Sequence, residues 1–185
     1  MWIFNKLKNT FRIVFWDIET SELRSNLGIM ISCCVKPMGQ KPVVLVNRNL
    51  GEDGLNDKQI CIETKRELED SDLIVGFYHL NFDLKFLNSR LLYWGEEPVR
   101  PKLHVDLYRL GRRYFATSRR SLEVITKELG IPGKTHVDLK YWKQAKINGD
   151  KKAIDYIVEH NIADVDITEK LFLRLKGLIK SISLA

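Results

Sequence analysis

Apolar residues along this chain fall into short runs separated by polar turns, and the period within each run distinguishes strands from helices. Phe11-Arg12-Ile13-Val14-Phe15-Trp16-Asp17-Ile18-Glu19-Thr20 is aromatic and β-branched, which predicts a central strand that ends in two carboxylates. Gly28–Lys36 and Pro42–Asn47 predict two more strands, and the short links between the three favour an antiparallel meander. A Gly/Asn/Asp-rich turn, Asn49–Asn56, precedes Lys58–Glu69, where Ile60, Ile62 and Leu68 suit a helix better than a strand. Asp72–Tyr78 is continuously apolar, the pattern of a strand with a parallel neighbour and cover on both faces. From Asn81 onward Phe82, Phe86, Leu87 and Leu91 recur at helical spacing, with Asp83 in the first turn, where the helix dipole favours negative charge.

Leu103–Leu107 predicts a short fifth strand, and Ser121 caps a helix that runs to Leu129 and stops at Gly130, Pro132 and Gly133. The remainder predicts a helix over about Lys151–His160 and another reaching about Ile182, with Leu171, Phe172, Leu175, Leu178, Ile179 and Ile182 as its apolar stripe. The resulting order, β-β-β-α-β-α-β-α-α, is that of an α/β domain with a mixed five-stranded sheet flanked by helices. The 185 residues, 44% hydrophobic and 29% charged, fit one domain with its core at about residues 11–176.

Charge and cysteine usage narrow the setting. Thirty Lys+Arg against 24 Asp+Glu give a formal charge of +6, which suits a polyanionic partner without requiring one. Three cysteines, two of them neighbours at Cys33 and Cys34, do not form a disulfide framework, because adjacent strand residues face opposite ways. A reducing, cytoplasmic setting is therefore expected. Residues 1–8 lack the long apolar core of a secretion signal, and no apolar run approaches the ~18 residues that span a bilayer, so no membrane partner is expected.

The candidate chemistry begins with Asp17 and Glu19. Side chains alternate along a strand, so both project from one face, at the carboxyl edge where open α/β sheets build their sites. Two hard oxygen donors at this separation suit Mg²⁺ or Mn²⁺; equally, Asp17 merely ends the strand and Glu19 is a solvated turn residue. Further along, His160 and Asp164 lie four residues apart and share a helix face. Tyr108–Arg120 holds five arginines among three aromatics, a composition suited to phosphates and unstacked bases, or to a solvated helix face.

Taken together, the Asp17-Ile18-Glu19 triplet, Asp83 within Gly76-Phe77-Tyr78-His79-Leu80-Asn81-Phe82-Asp83-Leu84, and Asp164 one turn after His160 resemble the DEDD family of 3′–5′ exonucleases with the ribonuclease H-like fold. The likeness runs from about Arg12 to Phe172 and is nearest the branch related to the proofreading domains of B-family DNA polymerases. It implies that Asp17, Glu19, Asp83 and Asp164 hold two divalent cations, Mg²⁺ or Mn²⁺, and that a fifth residue assists the attacking water. It also implies single-stranded DNA or RNA as partner, with Thr20, Tyr78, Asn81, Arg112, Arg113, Arg119 and Arg120 as expected contacts; protein partners are not indicated.

Two positions depart from the family pattern. One branch carries Tyr four residues before the last Asp and the other His five before it, whereas here His160 occupies the tyrosine spacing. Imidazole takes up a proton near pH 7, which favours His160 as general base over a solvent-facing helix histidine. Where the family often has Asn, two after Gly76, this chain has Tyr78, which either stacks on a base or packs in the core. Asp106 ends a strand and has no claim to the ions from sequence, nor does Asp138; Asp166 should point about 200° away from Asp164. The functions expected are a two-metal 3′–5′ exonuclease, a non-catalytic module binding nucleic acid or a polymerase or helicase, or an endonuclease on the same fold.

Overall fold

The computed structural model describes residues 11–51, 56–133, 138–180 and 182–185. Residues 1–8 and part of the Asn49–Asn56 turn, both read from the sequence, therefore lie outside the described residues. A six-stranded sheet has the order β3-β2-β1-β4-β5-β6, built from β1 (Ile13–Thr20), β2 (Met30–Pro37), β3 (Val43–Val46), β4 (Leu73–Gly76), β5 (Leu103–Asp106) and β6 (Ser183–Leu184). The first three strands form the antiparallel meander, and β4 lies parallel to both β1 and β5. Six helices follow in chain order among the described residues: α1 (Lys58–Glu69), α2 (Asp83–Tyr93), α3 (Leu107–Tyr114), α4 (Leu122–Glu128), α5 (Lys140–Asn148) and α6 (Lys151–Leu175).

Alternation along β1 creates two cores. Val14, Trp16 and Ile18 pack with Ile60, Leu68, Leu87 and Leu91 of α1 and α2. Phe15 turns to the other face and joins Val105, Leu122, Ile125, Val165 and Phe172 beneath α4 and α6. Cys33 and Cys34 divide between these two cores in the same way, both buried as free thiols. Asp17 and Glu19 share the parity of Phe15, so the strand delivers them to the α6 side.

The C-terminal half differs from the sequence expectation. Lys151–Leu175 is one continuous helix, with no junction at His160, and it gives way to a single 3-10 turn at Lys176–Leu178. Leu178, Ile179 and Ile182 therefore lie beyond the helix, and the chain returns to pair β6 antiparallel to β5 as a sixth strand. Two helices absent from the expected order, α3 and α5, complete that side. Gly149 ends α5 with φ +58°, and a Cβ there would meet the Leu50 carbonyl oxygen at 2.5 Å, so both backbone and space require glycine. Asp150 then starts α6 by accepting from Ala153 N at 2.8 Å.

Candidate metal centre and nucleic-acid cleft

Three elements bring the acids together at the carboxyl edge of β1. Asp83 opens α2 and is almost fully buried; its Oδ1 accepts from the Ile18 backbone N–H at 3.2 Å, which ties the start of the helix to the strand between Asp17 and Glu19. The long α6 crosses the same edge and contributes His160, Asn161 and Asp164. His160 is 5% exposed, and its Nε2 lies 3.9 Å from Asp164 Oδ2. One donor atom each from Glu19, His160 and Asp164 lies within 4.8 Å of the others.

Burial holds the Asp17 carboxyl well above the usual carboxylate range, and the charges of Asp83, Glu19 and Asp164 push it further the same way. Those contributions tie all four acids into one electrostatic unit. Asn161 opposes them: its Nδ2 donates to Asp17 Oδ2 at 2.8 Å and to the Asp17 carbonyl at 3.2 Å, while its own Oδ1 accepts from Ser32 Oγ at 3.1 Å. Burial likewise pushes Asp83 up to about 7, against the hydrogen bond from Ile18. Glu19, Asp164 and the His160 imidazole could hold a divalent cation between them, and Asp17, which feels the charges of Asp83, Glu19 and Asp164, adds a further oxygen donor nearby.

Asp106, at the end of β5, carries a supporting role. It accepts from Tyr78 N at 2.9 Å, Leu80 N at 3.3 Å and Tyr108 N at 3.0 Å, so one buried carboxylate shapes the loop leading to Asp83 and caps α3. Within that loop Tyr78 has φ +64°, a left-handed backbone that a bulky residue adopts only at a cost of about 1 kcal/mol or more. The outcome is a tyrosine 44% exposed and edge-on to Tyr108, with ring centroids 4.8 Å apart, rather than a core side chain. Asp166 pairs with Lys36 at 3.6 Å, away from the cluster, and Asp138 pairs with Lys140 at 2.6 Å.

Two clefts flank the acids. One of about 580 Å³ is lined by Asp17 and Asp164 together with Tyr78, Tyr108, Arg119 and Arg120. The other, about 630 Å³, holds Glu19, Thr20 and His160 against Phe82, Leu139 and Trp142. Arg112 and Arg113 are exposed in the last turn of α3 and line neither cleft. Thr20 is 9% exposed and donates its hydroxyl to the Glu22 carbonyl at 2.9 Å; Asn81 is half-buried, with its N–H on the Tyr78 carbonyl at 2.9 Å.

Sequence reasoning missed Trp142 and Asn161. Trp142, on α5, donates from Nε1 to Glu19 Oε2 at 3.0 Å and sets its ring edge-on to His160, with centroids 6.0 Å apart. Asn161 carried a usable signal, since it lies three residues before Asp164 and so shares its helix face.

The RNase H superfamily sequence profile matches residues 14–176, nearly the whole described chain. This chain belongs to the RNase H superfamily. A PolC-type DNA polymerase III from Ureaplasma parvum serovar 3 is 30% identical over 115 residues, which covers 51% of this chain and 8% of that polymerase. The family B DNA polymerase from the hyperthermophilic archaeon Pyrobaculum calidifontis shares the fold, with a TM-score of 0.70 and 19% identity over 90% of this chain and 24% of that one. The chain thus spans under a quarter of either polymerase. Within this RNase H superfamily member, no described helix is long and apolar enough to cross a membrane.

Proposed function

We propose that this protein is a divalent-cation-dependent 3′–5′ exonuclease acting on single-stranded DNA or RNA. The observation that carries the reading is the convergence of Asp17, Glu19, Asp83 and Asp164, from a strand and two helices, into one unit in which each acid raises the proton affinity of Asp17. Acids gathered around buried Asp83 that raise the proton affinity of Asp17 are costly for a module that only binds, and cations offset that cost. Superfamily membership and the two polymerase likenesses support nuclease chemistry.

In this reading Asp17, Glu19, Asp83 and Asp164 hold two ions, Mg²⁺ or Mn²⁺. Such ions, when bound, make a water acidic enough to attack near neutral pH and offset charge on the leaving oxygen. Asn161 keeps Asp17 aimed into the site, and Asp83 stays fixed by its bond to Ile18 N. His160, beside Glu19 and Asp164, accepts a proton from the attacking water through Nε2. Arg119 and Arg120 hold backbone phosphates in the cleft that Asp17 and Asp164 line, and Tyr78 and Tyr108 offer faces to unstacked bases. Arg112 and Arg113 attract the strand from further out, with Thr20 and Asn81 at the rim.

The deciding experiment gives the pure protein 3′-labelled and 5′-labelled single-stranded DNA and RNA, and a circular strand, with Mg²⁺, Mn²⁺ or EDTA. Early release of the 3′ label as mononucleotide, a ladder from the 5′-labelled strand, an intact circle and no reaction in EDTA are expected. A cut circle would make the protein an endonuclease, and tight binding without cleavage in any metal would make it a binding module.

A further inference from the structure

The trio of donors gathered on the Glu19 side includes a nitrogen, and that changes which ion the site prefers. We infer that in the substrate-free protein His160 Nε2 is itself a ligand to the ion held by Glu19 and Asp164, which makes that position an N/O site selective for Mn²⁺ over Mg²⁺. The inference rests on the divalent-ion reading above and adds a ligand and a selectivity to it.

The geometry leads there in three steps. First, His160 and Asp164 are one helical turn apart on α6, and Nε2 to Oδ2 is 3.9 Å. Donors sharing one ion at bonds of about 2.1 Å sit ~3 Å apart when adjacent and ~4.2 Å apart when opposite. A trio whose donor atoms all lie within 4.8 Å of one another thus needs side-chain shifts of only about 1 Å or less to meet that requirement. Secondly, the imidazole is 95% buried, with Trp142 edge-on against it, so the ring is held at the cluster instead of turning to water. Trp142 Nε1 also engages Glu19 Oε2, so the same indole orients a second ligand. Thirdly, imidazole nitrogen is a borderline donor that Mn²⁺ accepts more readily than Mg²⁺, whose sites are built from carboxylates, phosphates and water. Ligation and proton acceptance use one lone pair, so the inference concerns the protein before substrate arrives.

Mn²⁺ titrated into the metal-free full chain tests this directly. Pulsed electron paramagnetic resonance should show ¹⁴N modulation from a directly bound imidazole, and His160→Ala and His160→Gln should both abolish it while Mn²⁺ still binds. Calorimetry should show Mn²⁺ affinity falling by roughly tenfold or more in these variants, with Mg²⁺ affinity changing less. Two substitutions are used so that loss of fold in one, seen by circular dichroism, leaves the other to decide. Wild-type protein that binds Mn²⁺ without ¹⁴N modulation, or modulation that survives removal of His160, overturns the inference and leaves the divalent-ion reading standing. Wild-type protein that binds no Mn²⁺ overturns both.

Discussion

Trp142 Nε1 donates to Glu19 Oε2 at 3.0 Å, joining α5 to the end of β1 across 123 residues of sequence. The same ring stands edge-on to His160, so one side chain sets the orientation of two groups in the acidic cluster. Trp142→Phe retains most of the ring packing and removes the N–H donor. Turnover should fall about tenfold, the effect of ~1.4 kcal/mol, with KM little changed, and Trp142→Ala should fall further. Steady-state kinetics on a single-stranded oligonucleotide checks this; wild-type turnover in Trp142→Phe would remove Trp142 from any positioning role.

Asn161 is buried completely and bridges Ser32 to Asp17. Asn161→Ala leaves the Ser32 hydroxyl and one Asp17 oxygen without those bonds, an expected stability loss of about 1–3 kcal/mol. Asn161→Asp should be worse in metal-free buffer, since it adds a fifth acid to the cluster. Urea unfolding with EDTA present measures both, and equal stability of the two variants would show that charge at this position is screened.

The acids also set how metal-free stability depends on pH. Asp17 is raised by burial and its acidic neighbours, and Asp83 by burial to about 7. The folded chain therefore holds protons that the unfolded chain has released above about pH 4. With more protons bound at these two acids in the folded state, their contribution to stability falls as pH rises from about 4 to about 7, whereas His79 and His104, pushed down by burial to about 3 and about 4, contribute in the opposite sense over that window. Asp83→Asn should flatten that slope and raise the melting temperature at pH 8 in EDTA, while abolishing cleavage. Identical pH dependence of the melting temperature in metal-free wild type and Asp83→Asn would contradict the sign argued here for Asp83.

Arg119 and Arg120 line the cleft beside Asp17 and Asp164, whereas Arg112 and Arg113 stand outside it. Replacing the first pair with alanine should weaken single-stranded DNA binding and lower the slope of log K against log salt by about 1.4, about 0.7 for each phosphate no longer neutralised by an arginine. The second pair should cost less on both measures. Fluorescence anisotropy across a salt series distinguishes them, and identical effects from the two pairs would mean diffuse attraction instead of a seated strand.

The strands were legible because β1, β2 and β4 are dense in β-branched and aromatic residues, and the parallel placement of β4 followed from its unbroken apolar run. Asp83 could be located because the helix it opens has a clear apolar face. The C-terminal half was harder for a physical reason. Only Ala145 is buried in α5, so that helix lacks the stripe that announces one, and Trp142, packed against Ile31 and Ile157, also reaches the site through Glu19. Along α6, His160, Asn161 and Asp164 interrupt the apolar pattern because they face Asp17 and Glu19, and from sequence that interruption reads as a helix end. The two-residue β6 is too short to carry any period.

The central claim is that the four acids form a working ion centre, and single-turnover cleavage tests it most directly. Wild type and Asp83→Asn, both confirmed as folded by circular dichroism, are mixed in excess with a 5′-labelled single-stranded oligonucleotide at saturating Mg²⁺ or Mn²⁺. The account predicts stepwise shortening from the 3′ end by wild type and a loss of at least ~10³-fold in rate for Asp83→Asn, the several kcal/mol expected when a buried ion ligand is removed. A folded Asp83→Asn protein that shortens the strand at the wild-type rate would contradict it.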